Sequence, residues 1–252
     1  MSEGPQVRLQ TERLATWLTG RTVSACIAAR PDLEACASDI VGTRVEAVFC
    51  KGKRIFISFG NGKSLHNHLL MRGKWRRRAG GFLFAPPGAW LMIGVGSWTV
   101  ININGQRLEY LSEDDVAKLL NDLGPDLMTE PLPEAEVITA LRESRLPLAE
   151  ALLDQSVVCG IGNVAKSEAL HLAGIAPDVP AAALRDPQLA RLCKSIQSVL
   201  WASYRSVGRW THRVYRRTGR RCDVCGARIR MMRLPPSRRA TWYCPACQKS
   251  GT

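Results

Sequence analysis

The segment that opens Cys222-Asp223-Val224-Cys225 and closes Cys244-Pro245-Ala246-Cys247 carries two Cys-x-x-Cys pairs, 18 residues apart, with arginines crowding the interval. Two residues between cysteines let both thiolates of one turn reach a single tetrahedral Zn²⁺. The interval is long enough for a β-hairpin that returns the second pair to the metal. Four thiolates leave no open coordination position for water, so the expected ion is one structural zinc. A disulfide framework fits less well. Cys26, Cys36, Cys50, Cys159 and Cys193 bring the total to nine, an odd number. Met1-Ser2-Glu3-Gly4-Pro5 has neither a basic nor an apolar leader region, which points to a reducing, cytoplasmic setting. The five remaining cysteines read as small apolar residues of the interior.

Outward from the cysteines, the charge distribution says what kind of surface they support. The 252-residue chain has a formal net charge of +13. Residues 201–252 hold twelve arginines and Lys249 against the single acid Asp223, so nearly all of the excess lies there. The same stretch carries Trp201, Tyr204, Trp210, Tyr215, Trp242 and Tyr243. Cations interleaved with aromatic rings suit a phosphate backbone, and nucleic acid is the expected partner over an acidic protein or a membrane surface. No apolar run approaches the ~20 residues of a membrane-spanning helix.

The rest of the chain is long enough for two domains beside the metal module. Val7, Leu14, Trp17 and Leu18 recur at near-helical spacing after Pro5, a residue tolerated in a first helical turn, and predict a helix ending at Gly20. Segments 44–50, 54–59, 81–84, 91–95 and 99–103 are short and rich in Val, Ile, Phe and Trp. Gly60-Asn61-Gly62 and Pro86-Pro87-Gly88 punctuate them, as expected of an antiparallel sandwich or barrel. After Tyr110 the composition changes. Ser112-Glu113-Asp114-Asp115 reads as a helix start continued by 116–123. Residues 133–201 are helical in pattern, interrupted by Gly160-Ile161-Gly162-Asn163 and Gly174-Ile175-Ala176-Pro177. A glycine turn of this kind can aim backbone N–H groups at a phosphate. The glycines at 160 and 162 lack a preceding strand and a phosphate-loop lysine, so no nucleotide cofactor is implied.

In chain order, Ser2-Glu3-Gly4-Pro5, Lys51-Gly52-Lys53, His66-Asn67-His68-Leu69-Leu70-Met71-Arg72-Gly73, Leu153-Asp154-Gln155, Gly160-Ile161-Gly162-Asn163, Ser167-Glu168-Ala169-Leu170 and Arg239-Ala240-Thr241-Trp242-Tyr243-Cys244 form a series. Any one of these motifs is weak, but the ordered series resembles the formamidopyrimidine-DNA glycosylase/endonuclease VIII (Fpg/Nei) family over essentially the whole chain. The resemblance implies an α+β multidomain fold. Its parts are an N-terminal antiparallel β-sandwich with flanking helices over 1–111, a helix-two-turn-helix domain over 112–215 and a C-terminal zinc hairpin over 216–252. It also implies a base-excision repair glycosylase acting on damaged double-stranded DNA; the chain is expected to be a monomer, and the departures at Gln106 and Leu108 described below add single strands as an expected substrate.

In that family the initiator Met is removed and the exposed amine attacks C1′ of a flipped-out nucleoside, while the next Glu moves protons. Here those residues are Ser2 and Glu3. An α-amine has a pKa of about 7.7–8.0 against about 10.4 for Lys, so at neutral pH the chain terminus is the better amine nucleophile. Glu3 beside it is placed as a general acid/base. On residue types alone, Ser2 and Glu3 would read as caps of the first helix. By the resemblance, Lys53 assists catalysis near the lesion and His68 and Asn163 contact phosphate. Arg239 grips the backbone beside the extruded nucleotide, and Met71 fills the gap left by the base. Glu168 reads as a structural acid.

Three departures modify this picture. Ser2 stands where most members have Pro. A primary amine gives an imine that can lose its proton, whereas a secondary amine gives a permanent iminium, so strand elimination is expected to be weaker. Asn104-Gly105-Gln106-Arg107-Leu108-Glu109 aligns with a segment that usually supplies an Arg and a Phe to the duplex. Gln106 and Leu108 then replace them, and opposite-base preference is expected to relax. The short stretch from Leu200 to Tyr215 lacks the long loop of the purine-preferring branch, favouring oxidised pyrimidines, hydantoins and abasic sites. The alternative of another class is a damaged-DNA or abasic-site binding protein of the same fold with impaired chemistry.

Overall fold

The computed structural model describes residues 2–81 and 85–249. It divides into two compact units, Met1–Ser2 with Gln6–Asn121 and Glu3–Pro5 with Asp122–Thr252. The architecture is mixed α+β.

In chain order, helix α1 (Gly4–Leu18) is followed by β1 (Ala25–Ala28), α2 (Glu34–Ile40), β2 (Val45–Lys51), β3 (Arg54–Phe59), β4 (Lys63–His68), β5 (Lys74–Ala79), β6 (Ala89–Val95), β7 (Trp98–Ile103), β8 (Arg107–Ser112) and α3 (Glu113–Asn121). The strands make two four-stranded antiparallel sheets, ordered β1-β6-β7-β5 and β2-β3-β4-β8. Alternating residues of both sheets, among them Ile55, Ile57, Leu65, Ile93, Val100 and Leu108, meet in one core. The stripe Val7, Leu14 and Leu18 of α1 closes over it at helical spacing.

Four strands escaped the sequence reading: β1, β4, β5 and β8. β5 is Lys-Trp-Arg-Arg-Arg-Ala, a composition that argues against a strand until its place at a sheet edge is seen. There Trp75 enters the core and charged neighbours blunt an open edge. Of the strand expected over 81–84, residues 82–84 lie outside the described residues. α3 begins where expected, with Ser112 Oγ accepting from the Asp115 N–H at 3.2 Å. It belongs to the first unit, past the boundary expected at 111, because it packs on β4 and β8 and Lys51 Nζ donates to Leu120 O at 2.9 Å.

The second unit contains α4 (Glu134–Glu143), α5 (Leu148–Ala151), α6 (Asn163–Ala173), α7 (Asp186–Arg205) and the hairpin β9 (Arg230–Arg233) with β10 (Ala240–Tyr243). α6 is buried nearly all round, which accounts for its weak amphipathic pattern, and it ends on Gly174 in the left-handed conformation (φ 68°). No helix among the described residues is long and apolar enough to cross a membrane.

Two leucines on α6 gauge this packing. Leu170 is 0% exposed and Leu172 is 43% exposed. Leu170→Ala is expected to cost about 2–5 kcal/mol and Leu172→Ala within about 0.5 kcal/mol, read from urea unfolding midpoints of the metal-loaded protein.

Candidate active site

Glu3 is fully buried, and its carboxylate goes to the start of α6 rather than to the first helix, where residue type alone would place it as a cap. Its carboxylate accepts three backbone N–H bonds at the start of α6, from Gly162 (3.1 Å), Val164 (2.8 Å) and Ala165 (3.1 Å). The glycine turn therefore does aim N–H groups at an anion, but the anion is the protein's own carboxylate rather than a phosphate. Close approach makes glycine necessary. A Cβ on Gly162 would sit 2.4 Å from Glu3 Cδ, and one on Gly4 would sit 2.9 Å from Gly160 O. The Gly4 N–H donates to that same carbonyl at 2.7 Å, which fixes the backbone immediately after Glu3.

The first unit brings together Ser2, Leu70, Met71 and Gln106. Ser2 N donates to Leu70 O at 2.9 Å. Leu70 has φ 47°, Gly73 N returns to Leu69 O at 2.8 Å, and Met71 N donates to Gln106 Oε1 at 3.1 Å. Met71 is 62% exposed, so it is no core methionine. Gln106 occupies a tight tip with φ 54°. Buried Asn67 secures that tip by donating through Nδ2 to Gly105 O and Arg107 O at 3.1 and 2.7 Å, while its Oδ1 accepts from Trp75 Nε1 at 2.9 Å.

Leu108 is a correction. It is 4% exposed and lies in the sandwich core, because it faces inward from β8, so it is not available to a duplex. The adjacent cation Arg107 does reach the surface, where its Nε donates to Glu109 Oε1 at 3.0 Å.

Lys53 sits buried at the β2–β3 turn, where Gly52 takes φ 59°. Its charge reaches His68. Burial foremost, then the cations Lys53 and Arg54, push the His68 pKa down to about 4. His68 Nδ1 accepts the Leu70 N–H at 3.1 Å, so the neutral ring carries its proton on Nε2 as a donor.

In the second unit, Asn163 opens α6 and its Nδ2 donates to Ala240 O at 2.9 Å. Its Oδ1 has no hydrogen-bond partner among the described residues. Arg239 is exposed on the segment leading into β10. That segment is tied down on both sides, by Ser237 N donating to Glu150 Oε2 at 2.9 Å and by Lys166 Nζ donating to Thr241 Oγ1 at 2.7 Å. Neither Glu150 nor Lys166 was legible as a site residue, since an isolated Lys or Glu in a helical pattern reads as solvated surface. Glu168 is structural: its carboxylate accepts the N–H groups of Arg213, Val214 and Tyr215 at 2.9, 3.1 and 2.8 Å.

The four finger cysteines converge, with all Sγ atoms within 4.8 Å of one another. Cys222 and Cys247 are 3.8 Å apart and Cys225 and Cys244 are 3.4 Å apart. Tetrahedral coordination at a metal–sulfur distance of about 2.3 Å requires sulfurs about 3.8 Å apart, so the cluster fits one structural metal ion. Gln248 anchors it, accepting from Cys244 N at 2.8 Å and donating to Ile175 O at 2.9 Å.

Comparison with known proteins bears on the family and the fold. Residues 1–89 match the formamidopyrimidine-DNA glycosylase N-terminal domain, and residues 123–212 match the formamidopyrimidine-DNA glycosylase H2TH domain. The chain is 32% identical to the DNA-(apurinic or apyrimidinic site) lyase Nei2 of Mycolicibacterium smegmatis, over 98% of this chain and 99% of that one. It is 30% identical to the formamidopyrimidine-DNA glycosylase of Jannaschia sp., over 99% of this chain and 100% of the relative. Among solved structures, Lactococcus lactis Fpg in complex with DNA containing an abasic site superposes with a TM-score of 0.85 at 25% identity, covering 99% of this chain and 100% of that chain.

If the Glu3 seat is as tight as the contacts indicate, Gly162→Ala and Glu3→Ala disrupt the same bonds. Each is expected to cost on the order of 1–3 kcal/mol. In a double-mutant cycle read by urea unfolding, the pair should cost less than the sum of the singles, whereas additivity would mean the seat tolerates a Cβ.

Proposed function

The chain belongs to the formamidopyrimidine-DNA glycosylase/endonuclease VIII (Fpg/Nei) family, and we propose that it is a DNA repair glycosylase using the N-terminal amine of Ser2, freed by removal of Met1. The observation that carries this reading is the fully buried Glu3 carboxylate, fixed by three N–H groups one residue from that amine. The amine nitrogen bonds to C1′ of an extruded nucleoside as the bond from C1′ to the base breaks, and the departing base takes a proton from solvent. Glu3 accepts the proton the amine loses and returns it to the sugar ring oxygen as the ring opens, leaving a protonated Schiff base. Water hydrolyses this intermediate. Loss of a C2′ proton with cleavage of the C3′–O bond is the slower, lyase branch, because the imine formed by Ser2 can deprotonate. Lys53 assists as a buried cation near the reacting sugar, and neutral His68, Asn163 and Arg239 hold the phosphate backbone.

Oxidised pyrimidines, hydantoins and abasic sites are the proposed substrates. Support comes from the short connection after α7. That helix ends at Arg205 and Glu168 already fixes the backbone from Arg213, leaving 206–212 between them. With Leu108 in the core and Arg107 paired with Glu109, Met71 and Gln106 remain to enter the duplex, and neither is a cation. Opposite-base preference should therefore be weak, and single strands should be accepted.

The test is a panel of labelled duplexes and single strands bearing oxidised pyrimidines, hydantoins, 8-oxoguanine or abasic sites, resolved before and after alkali. Cuts are expected at the pyrimidine, hydantoin and abasic lesions, mostly alkali-dependent at the base lesions. Glu3→Gln is expected to lower the single-turnover rate by about 10²–10⁴-fold. Tight binding to damaged DNA without any cut would replace this reading with a damage-binding protein of the same fold.

The finger ion is proposed to be Zn²⁺, which four thiolates favour. It supplies a rigid hairpin and takes no part in the chemistry. Elemental analysis should return one zinc per chain. Chelation or Cys244→Ser should weaken binding to a duplex with an abasic-site analogue at least tenfold by fluorescence anisotropy, and unchanged affinity in the metal-free protein would contradict this role.

A further inference from the structure

Lys166 is among the bulkiest fully buried side chains in the protein, yet it carries a charge. An ammonium taken out of water is costly unless paired, and an apolar residue would fill the same volume more cheaply. Its surroundings suggest why a cation stands there. Nζ donates to Thr241 Oγ1 on β10 at 2.7 Å. The charges that act on it are Glu150 of α5, Arg239 of the segment entering β10, and Glu3, which is held by the N–H of Ala165, the residue next to Lys166 in α6. Glu150 is itself committed through Oε2 to Ser237 N at 2.9 Å, and its Oε1 has no hydrogen-bond partner among the described residues. Lys166 thus stands among the carboxylate assigned to proton transfer, a second buried carboxylate that holds the finger segment, and the finger arginine.

We propose that Lys166 is a positioning residue that couples the proton-transfer carboxylate to the finger: its buried ammonium keeps Glu3 ionised and, through Thr241, holds β10 and so places Arg239. The proposal rests on the reading of Glu3 given above. The three N–H groups on Glu3 fix where the carboxylate lies. Lys166 contributes the full positive charge that favours its anionic form. Substituting the lysine therefore has two separable consequences, one electrostatic at Glu3 and one mechanical at the finger. Burial, opposed by Glu150 and Glu3 and reinforced by Arg239, brings the Lys166 pKa down to about 8. The cation is present below that pH and is lost as pH rises through it, so Glu3 and the finger lose their shared support together in mildly alkaline solution.

The experiment follows the side-chain carboxyl carbon of Glu3 by ¹³C NMR in the full-length, metal-loaded protein, with the resonance assigned through Glu3→Gln. In Lys166→Met the Glu3 titration midpoint is expected to rise by about one pH unit or more, and Lys166→Arg, which restores a cation, should return it to the wild-type value. Thr241→Val should leave the midpoint in place and weaken binding to a duplex with an abasic-site analogue several-fold. Where Lys166→Met does not fold, the wild-type chain alone decides the matter: the Glu3 signal should show a second inflection at the pH where the Lys166 Cε signal titrates. An unmoved midpoint in Lys166→Met, a midpoint that Lys166→Arg fails to restore, or a wild-type Glu3 signal without that inflection would overturn the coupling. None of these readings needs turnover. A wild type inert on every lesion would sink the proposed activity alone, and an active wild type with an unmoved Glu3 midpoint would sink the coupling alone.

Discussion

One carboxylate at the start of one helix constrains most of what surrounds it. Glu3 accepts three N–H groups from the first turn of α6, groups that any helix leaves without intrahelical partners. Filling them with a side chain from the N-terminus has three consequences. The backbone at 4 and 162 must be glycine, since a Cβ would collide with Gly160 O or with Glu3 itself. The carboxylate is held in the positive end of the helix field, which favours its anion. Its sequence neighbour Ser2 is set one peptide away from a carboxylate whose position is fixed.

The finger shows the complementary arrangement, in which a metal-binding hairpin serves as a support. Its loop is tied to the helices by the Glu150 bond to Ser237 N, the Asn163 bond to Ala240 O and the Lys166 bond to Thr241. Gln248 binds the second cysteine pair to the end of α6 through Ile175 O. Arg239 lies between the first and second of these ties. A guanidinium whose backbone is pinned on both sides loses little freedom when it grips a phosphate, which is where a rigid hairpin helps binding. The cysteines that dominate the sequence therefore fit a scaffold, and the chemistry proposed above lies at the opposite end of the chain.

Much of this is legible in the sequence. Ligand spacing at Cys222–Cys247 depends only on local geometry, and the ordered motifs from Ser2 to Cys244 carry their own register. The strands rich in Val and Ile were also visible, because their burial is written into composition. What stayed hidden depends on tertiary pairing. β5 is strand because β7 offers it an edge, against the preference of its arginines. Leu108 was aligned with a duplex-entering residue, but the two-residue period of β8 turns it into the core. Residue type alone makes Glu3 a cap of the first helix, whereas its carboxylate fills the start of the sixth, a pairing no local pattern shows. Lys166 gave no signal at all, since nothing local distinguishes a lysine that will be buried from one that will be solvated.

The proposed nucleophile is the amine of Ser2, and reducing the enzyme–DNA intermediate with borohydride, digesting the adduct and locating the modified residue by tandem mass spectrometry identifies the attacking nitrogen. The expected result is a deoxyribose-derived mass on the α-nitrogen of Ser2 in a chain that lacks Met1. An adduct on Lys53 or any other lysine, or glycosylase activity from a chain that retains Met1, would contradict it.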